Sequence, residues 1–302
     1  MFLQKLYHHR HYILLRSHDL LKDTLAKNSN SHHVKIGCEL EFFLLKNAKP
    51  VVDKKIIDDF ATINKLKLEQ GCGQFEIVTD YSNNFIKLAD DLQNQKNFII
   101  DYADKIGYSA SFSPRPFEND CPSSLQFNIS FHDQDHNNVV ALDDIYIKNL
   151  LNCLNQSTNS IFLILSPNVT DFQRFALDYN LSLFKSGKYS APVNISVGYE
   201  NRTCGIRLTK KCFEPNSLRI EYRYGCSSAD IYLTLSALLI LISQSFLKKY
   251  SANASILFGN AFDNKYLSEV SELCKNYDQA VNLFFDHQNF VYKKFNDFLK
   301  DV

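Results

Sequence analysis

The ten-residue stretch from Ile36 to Leu45 (Ile-Gly-Cys-Glu-Leu-Glu-Phe-Phe-Leu-Leu) places the strongest constraint on how this chain folds. It is apolar and favours a β-strand, yet it carries Glu39 and Glu41. Side chains alternate between faces along a strand, so the two carboxylates share one face. Like charges on a buried strand repel each other and are costly to desolvate. Either a divalent cation offsets that cost, or the stretch is a surface hairpin whose glutamates are solvated.

Further segments repeat this alternation of polar and apolar side chains, at residues 74–77, 125–131 and 219–224. They predict an α+β fold, in which a curved, mostly antiparallel sheet packs its apolar face on helices and carries the active site on its polar face. The polar face would collect several arginines and the carboxylates of Glu39, Glu41, Glu76 and Glu221. Carboxylates clustered beside arginines indicate divalent metals next to phosphate, and a solvated network of salt bridges is the alternative.

The composition argues against several classes of function. The chain of 302 residues has 33 lysines and arginines and 33 aspartates and glutamates, so no net charge attracts it to nucleic acid or to an anionic membrane. The uncharged segment from Ile231 to Leu247 is shorter than the roughly 20 apolar residues of a membrane-spanning helix, and it predicts a buried helix. The eight cysteines contain no Cys-x-x-Cys pair, and the first residues of the sequence show no apolar stretch followed by a small-residue cleavage site, so no secretory leader is expected. These features predict a reduced, cytoplasmic protein.

The order of the predicted elements favours one main domain. Residues 1–33 predict an N-terminal helix and a loop, and residues 34–302 the domain itself. Apolar residues at helical spacing indicate the N-terminal helix over residues 2–27. A second helix would begin near Ser82, whose hydroxyl can cap it, whereas residues 51–70 predict a hairpin-like or irregular stretch.

Six short motifs follow one another along residues 35–290. In chain order they are Glu39-Leu-Glu41, Glu69 followed by Gly73-Gln-Phe-Glu76, Phe112-Ser-Pro-Arg-Pro116, Pro122-Ser-Ser-Leu-Gln-Phe-Asn-Ile-Ser130, Asn201-Arg-Thr-Cys-Gly-Ile-Arg207 and Arg219-Ile-Glu-Tyr-Arg223. Together they resemble the catalytic domain of the glutamine synthetases and the related γ-glutamyl–amine ligases. The resemblance implies that family's catalytic-domain fold. It also implies an ATP- and Mg²⁺-dependent ligase that joins a carboxylate to an amine through an acyl phosphate.

The resemblance also implies roles for individual residues. The first of two Mg²⁺ or Mn²⁺ ions would be held by Glu41, Glu69 and Glu76. The second, which contacts the nucleotide phosphates, would be held by Glu39, Gln126 and Glu221. The residues that bind ATP would be Asn128, Ser130, Arg202, Arg207 and Arg219. Arg202 and Arg223 would be catalytic, and Arg223 would face the acid substrate and the transferred phosphoryl group.

The chain departs from the family at several positions. Gln126 replaces a metal-ligating histidine, and an amide oxygen can still bind Mg²⁺. Pro122 and Ser124 replace glycines of a substrate loop. Ser190 stands in place of the glutamate that receives the ammonium proton. The arginine that grips the substrate α-carboxylate falls on Phe184, beside a lysine at 185. The family's N-terminal β-grasp domain is expected to be absent.

These departures leave the metal and phosphate residues in place and remove those for ammonium and glutamate. They predict a carboxylate–amine ligase, of the γ-glutamyl type, whose amine is not ammonia. The alternatives are a non-catalytic nucleotide- and metal-binding relative, and glutamine synthetase proper. The expected partners are ATP and a small acid and amine, without nucleic acid or membrane, and self-association into a homo-oligomer stays open.

Overall fold

The structure is a computed structural model that describes residues 1–28, 33–140, 144–210, 217–250, 254–266 and 268–302. The α-helices are α1 (Phe2–His8), α2 (Arg10–Lys27), α3 (Lys54–Asn64), α4 (Phe85–Lys105), α5 (Ile145–Ser157), α6 (Phe162–Leu165), α7 (Leu177–Lys185), α8 (Ile231–Leu247), α9 (Tyr277–Phe284) and α10 (Phe290–Phe298). The strands are β1 (His33–Lys46), β2 (Lys49–Pro50), β3 (Lys67–Leu68), β4 (Gln74–Val78), β5 (Ser109–Ser111), β6 (Ser124–His132), β7 (Asn194–Ile195), β8 (Val197–Tyr199), β9 (Ile206–Thr209), β10 (Arg219–Cys226), β11 (Ile256–Leu257) and β12 (Ser271–Glu272).

One main sheet organises the described chain, in the strand order β11-β8-β9-β10-β6-β1-β4-β3, with β2 and β5 also paired to β1. The pairs β8–β9 and β8–β11 are parallel, and the other pairs in this sheet are antiparallel. The long strand β1 lies at the centre, between β6 and β4. The prediction of a mostly antiparallel sheet packed on helices is confirmed.

The apolar side chains of the central strands form one core with the helices. Cys38, Leu40 and Phe42 of β1 are buried in this core, as the alternation along that strand predicts. The uncharged helix α8 spans the predicted Ile231–Leu247 and is buried along nearly its whole length, against α2, α4 and α5. Among the described residues, none of the helices combines the length and the apolar character that crossing a membrane requires.

Two local predictions need correction. Residues 54–64, predicted to be irregular, form α3, because the Asp53 side chain accepts hydrogen bonds from the first turn and Lys65 ends the helix in a left-handed conformation. Asn84, and not Ser82, caps α4 through the backbone N–H of Lys87. The predicted N-terminal helix is present as α1 and α2, and most of the loop expected after it lies outside the described residues.

Cysteine pairing is absent in the described part of the chain. Seven cysteines there are free thiols, and six of these are buried. Cys212 lies outside the described residues.

Candidate active site

Cross-strand pairs assemble a polar surface at the centre of the sheet. Glu41 on β1 lies opposite Glu76 on β4, and Glu39 lies opposite Gln126 on β6. On the other side of β6, Glu221 on β10 is in register with Asn128 and with Arg207 on β9. Directly opposed residues on one face have close side chains. The register therefore gathers residues that are up to 182 positions apart in sequence, from 39 to 221, onto one surface.

A cavity of about 260 Å³ opens over this surface, and all six predicted metal ligands line it. They are Glu39, Glu41, Glu69, Glu76, Gln126 and Glu221. The arginines that line the same cavity are Arg174, Arg202, Arg207, Arg219 and Arg223. The structure therefore brings together the two kinds of side chain that the alternation along the strands predicted.

Three carboxylates form the tightest cluster in the cavity. Oxygen atoms of Glu41, Glu69 and Glu76 all lie within 4.8 Å of one another. Burial raises the pKa of Glu41 to about 7, and the nearby Glu69 carboxylate adds to the shift. The pKa of Glu76 is raised by burial and then by the neighbouring Glu39, Glu41 and Glu69 carboxylates. Mutual repulsion of this kind is what a divalent cation relieves.

A second group of oxygen ligands lies across β1, β6 and β10. The Gln126 amide donates to Glu41 Oε1 at 3.0 Å and to Ser124 Oγ at 2.8 Å. This orientation leaves Gln126 Oε1 buried without a hydrogen-bond partner. A buried carbonyl oxygen without a partner is costly, and it is a suitable ligand for a hard cation. With Glu39 and Glu221 lining the same cavity, the donor set fits a second Mg²⁺ or Mn²⁺.

Asn128 connects this second group to an arginine. Its side-chain amide donates to Glu39 Oε1 at 3.0 Å, and its oxygen accepts a hydrogen bond from Arg219 Nε at 2.8 Å. Asn128 does not line this cavity. The geometry therefore gives Asn128 a positioning role, and direct ATP binding by Asn128 stays a prediction.

The predicted phosphate-binding arginines differ in how firmly they are held. Arg207 donates to Glu221 Oε2 at 3.1 Å and to Glu200 Oε2 at 2.9 Å. Arg223 is buried and donates to the carbonyl oxygens of Arg202 and Cys204. Arg202 is exposed, and its guanidinium lies over the ring of Tyr189 at 4.3 Å. Arg207 and Arg223 are therefore fixed by the protein, whereas Arg202 lies at the mouth of the cavity.

Arg174 is a residue of the cavity that the sequence analysis missed. It is 2% exposed, and its Nε and Nη1 atoms have no hydrogen-bond partner. Its Nη2 donates to the Arg223 carbonyl at 3.2 Å. Arg174 lies in a 3-10 helical stretch, Val169–Phe175, so neither the strand alternation that indicated Arg219 and Arg223 nor the family motif that indicated Arg202 and Arg207 gave a signal for it. A buried guanidinium with free donors at a cavity wall is suited to a carboxylate or phosphate ligand.

Phe184 and Lys185, which the sequence analysis placed at the substrate carboxylate, do not line the cavity. Phe184 is 42% exposed and packs edge-to-face on Phe262. Both residues belong to α7, which ends before the chain returns to the cavity at Tyr189. Arg174, by contrast, lines the cavity.

The segment 186–190, called the flap below, lies at one side of the cavity, and its contacts include Gln70, Asp120 and Arg202. Gln70 donates to the Gly187 carbonyl at 3.0 Å and accepts a hydrogen bond from the Tyr189 N–H. Lys188 Nζ lies 2.9 Å from Asp120 Oδ1. The Tyr189 ring contacts Arg202 as described above. Gln70 follows Glu69 of the carboxylate cluster in the sequence, and Arg202 is one of the arginines that line the cavity. The flap is therefore fastened to both groups of residues.

A second cavity, of about 290 Å³, adjoins the first. Its lining includes Lys35, Tyr81, Ser130 and His132, and Arg219 lines both cavities. The predicted ATP contact Ser130 thus lies in the second cavity rather than in the first. Arg219 therefore lies between the two cavities.

Comparisons with known proteins identify a family and several similar chains. The family model described as glutamine synthetase, catalytic domain, matches residues 57–300. The chain is similar to γ-glutamylputrescine synthetase PuuA of Escherichia coli K12, with 28% identity over 174 residues, or 56% of this chain and 34% of that protein. It is also similar to glutamine synthetase of Pyrococcus horikoshii, with 28% identity over 218 residues, or 68% of this chain and 44% of that protein. The chain thus spans less than half the length of these two relatives.

Two solved structures of GmaS share the fold. The ADP complex has a TM-score of 0.74 and 21% sequence identity, and covers 94% of this chain and 72% of its own. The apo form without ligand has a TM-score of 0.70 and 19% identity. The family match begins at residue 57, so Glu39 and Glu41 lie outside it and are placed in the site by the geometry of β1.

Proposed function

Because the chain belongs to the glutamine synthetase family through its catalytic domain, we propose that it is an ATP- and Mg²⁺-dependent ligase that joins a carboxylate to an amine. The acid is of the γ-glutamyl type, and the amine is larger than ammonia. The observation that carries the proposal is one cavity that holds the cluster of Glu41, Glu69 and Glu76 beside buried arginines. The similarity of the chain to a γ-glutamylputrescine synthetase supports this proposal.

The carboxylates would hold two divalent ions. One set is Glu41, Glu69 and Glu76, and the other is Glu39, Glu221 and Gln126 through its free Oε1. Ions bound in this way neutralise phosphate oxygens and orient the phosphoryl group to be transferred. Arg207 and Arg219 add fixed positive charge at the same wall, where the phosphates of ATP would lie.

In the first step, a carboxylate oxygen of the acid attacks the γ-phosphorus of ATP. The new O–P bond forms as the bond to the β-phosphate oxygen breaks, and ADP leaves with that electron pair. Arg223 is fixed by two backbone carbonyls and neutralises the transferred group without having to reorganise. Arg174, with two free donor atoms, would grip a second carboxylate of the acid and hold it in line.

In the second step, the amine nitrogen attacks the acyl carbon, and phosphate leaves with the electrons of the C–O bond. The nitrogen then loses a proton. The flap contributes Tyr189 and Ser190 to this cavity; Ser190 stands where a base is expected, and a hydroxyl is a poor base. Burial raises the pKa of the adjacent Cys121 thiol to about 12, so this side chain does not accept the proton either. The departing phosphate is the available base, and the short Ser190 side chain leaves room for a substituent on the amine.

The direct test measures ADP and amide formation by the full chain with Mg²⁺-ATP and glutamate. The amine panel contains ammonia, a short monoamine and putrescine. We expect turnover that depends on a substituted amine and is lost in Glu69→Gln, while the matched variant Glu118→Gln, an exposed glutamate outside this cavity, keeps it. Turnover with ammonia alone would indicate glutamine synthetase activity instead. The second candidate is a non-catalytic nucleotide-binding protein, and the absence of a base at Ser190 in the flap favours it. ATP binding without turnover on any amine would support this candidate.

The flap contacts predict a coupling defect in Gln70→Ala. This change removes two hydrogen bonds that hold the flap, each worth about 1 kcal/mol, so the population of the open state should rise roughly thirtyfold. An open flap admits water to the acyl phosphate, which is then hydrolysed. We therefore expect more ADP released per amide formed, measured by assaying both products.

Gln93→Ala is the matched control, because Gln93 lies on α4 and bonds to Asn97 on the same helix. The ratio of ADP to amide should stay near one in this variant and in the wild type. An unchanged ratio in Gln70→Ala, with both products reduced equally, would contradict the role of Gln70 in closing the flap.

A further inference from the structure

Lys67 lies beside the carboxylate cluster, at a position that none of the six sequence motifs includes. On β3 it is directly opposite Glu76 of β4, and Glu76 is in turn directly opposite Glu41 of β1. Directly opposed residues share a face of the sheet, so the three side chains form one row across three strands. Lys67 also lines the first cavity. Strand pairing therefore places a lysine at the edge of the cluster.

Lys67 forms an ion pair with one member of the cluster. Its Nζ atom lies 3.7 Å from Glu76 Oε2. In the described part of the chain, Glu76 has no other ion pair, and Glu41 and Glu69 have none. Glu41 instead accepts hydrogen bonds from neutral donors on β6. The Lys67 ammonium is thus the direct counter-charge that the described chain provides for these three carboxylates.

The electrostatic effect of Lys67 extends beyond Glu76. Burial is the main cause that raises the pKa of Glu39, Glu69 and Glu76. The Lys67 ammonium acts against the rise at each of these carboxyl groups. A positive charge that favours the ionised carboxylates does part of what a divalent cation would do at the same place.

Lys67 is held more loosely than the arginines of the same cavity. Its side chain is 63% exposed, and its Nζ atom makes no hydrogen bond to the residues that the structure describes. By contrast, Arg207 donates to two glutamates, and Arg223 is buried against two backbone carbonyls. Lys67 also lies on a two-residue strand at the edge of the main sheet. Its flexible side chain can therefore move into solvent at the loss of a single ion pair.

We propose that Lys67 is a displaceable counter-ion, which neutralises the cluster of Glu41, Glu69 and Glu76 while no metal is bound and leaves it as a divalent cation enters. A cation held by Glu76 and an ammonium 3.7 Å from an oxygen of the same side chain repel each other. The cation therefore binds more weakly than it would to the carboxylates alone, and it exchanges more readily with solution. This inference rests on the proposed function in one respect, that the cluster binds a divalent cation.

The test is a calorimetric titration of the full chain with Mn²⁺, without nucleotide and at one fixed pH and ionic strength. The binding event that is lost in Glu76→Gln identifies the cluster in this titration. Lys67→Met lacks the repelling charge, so its cluster should bind Mn²⁺ roughly fivefold more tightly than that of the wild type, the effect of a partly exposed ion pair. Lys67→Arg keeps the charge and should bind Mn²⁺ no more tightly than the wild type does.

The matched control is Lys293→Met. It removes an exposed lysine of α10 that does not line the cavity, so the net charge changes equally and the affinity for Mn²⁺ should stay at the wild-type value.

Thermal unfolding provides a second measurement. Metal-free Lys67→Met has lost the counter-charge of the cluster, so it should unfold at a lower temperature than the metal-free wild type. Added Mn²⁺ should then raise the unfolding temperature of Lys67→Met by more than that of the wild type. A lysine that only supported the fold would lower the unfolding temperature equally with and without the cation.

Equal or weaker binding of Mn²⁺ by Lys67→Met would overturn this inference and leave the proposed function standing. The same gain in affinity in Lys67→Arg would also overturn it, because the charge would then not be the cause. If neither the wild type nor Lys67→Met bound Mn²⁺, the metal assignment of the proposed function would be wrong together with the inference.

Discussion

Replacing Glu76 by glutamine is expected to abolish divalent-cation binding at the carboxylate cluster and, at the same time, to stabilise the metal-free protein. Glu76 is 5% exposed and lies directly opposite Glu41 across β1 and β4. Replacing a residue that only hydrogen-bonds to a metal ligand weakens metal binding roughly 10–100-fold. Glu76 is a predicted ligand itself, so its replacement should weaken Mg²⁺ or Mn²⁺ binding by more than that. Glutamine keeps the shape of the side chain and removes one of the repelling charges.

The gain in stability follows from the pKa shifts in this cluster. The pKa of Glu41 is raised by burial from its ordinary 4.5 to about 7, and that of Glu76 is also raised. A carboxyl group with a raised folded-state pKa binds its proton more tightly in the folded protein than in the unfolded one. Its contribution to stability is fully present below the unfolded pKa and is lost as the pH rises through the folded one, at a cost on the order of 3 kcal/mol for Glu41.

The measurement is thermal unfolding between about pH 5 and pH 9, with and without Mg²⁺ or Mn²⁺. The metal-free wild type should lose stability across this range, and added metal should restore it most at the alkaline end, where the carboxylates are ionised. Glu76→Gln should flatten the metal-free profile and no longer respond to metal. The control Glu118→Gln, at an exposed position, should behave as the wild type does. A Glu76→Gln protein that melts lower than the wild type without metal and still responds to Mg²⁺ would contradict the cluster assignment.

Replacing Arg174 by methionine is expected to raise the KM for the acid substrate by roughly 10–100-fold, the worth of a hydrogen bond to a charged group. The KM for ATP should change little, because Arg207 and Arg219 remain. Methionine fills much of the same volume without a buried charge, and Arg174 has two donor atoms with no partner in the protein. Stability should therefore be maintained or increased while acid binding is lost.

The two Michaelis constants and the unfolding temperature together decide this prediction. Arg115→Met is the matched control, since Arg115 stacks on Tyr179 at 4.1 Å and does not line the carboxylate cavity. Arg174→Lys should recover only part of the acid binding, because an ammonium group lacks the planar fork that pairs with a carboxylate. If Arg174→Met instead raised the KM for ATP and left that for the acid unchanged, Arg174 would be a phosphate ligand.

The sequence alone was sufficient to predict most of the sheet and the composition of its polar face. Strand alternation has a period of two, so Glu39, Glu41, Glu76 and Glu221 could each be assigned to a face without a structure. The uncharged segment 231–247 could be predicted as a buried helix for an equally local reason, since it is too short to span a membrane and carries no charge. Both patterns are encoded within a few consecutive residues.

Only the tertiary structure decided which polar residues meet and which serve elsewhere. Arg174 lies in a 3-10 stretch without a repeating pattern, so its place in the cavity depends on how that stretch packs against β10. Ser130 follows the same alternation as Gln126, yet it lies in the neighbouring cavity. The two residues are four positions apart on β6, which separates their side chains by roughly 13 Å along the strand. Periodicity fixes the face on which a residue lies, whereas the position on that face and its partners depend on strand register and loop packing between distant parts of the chain.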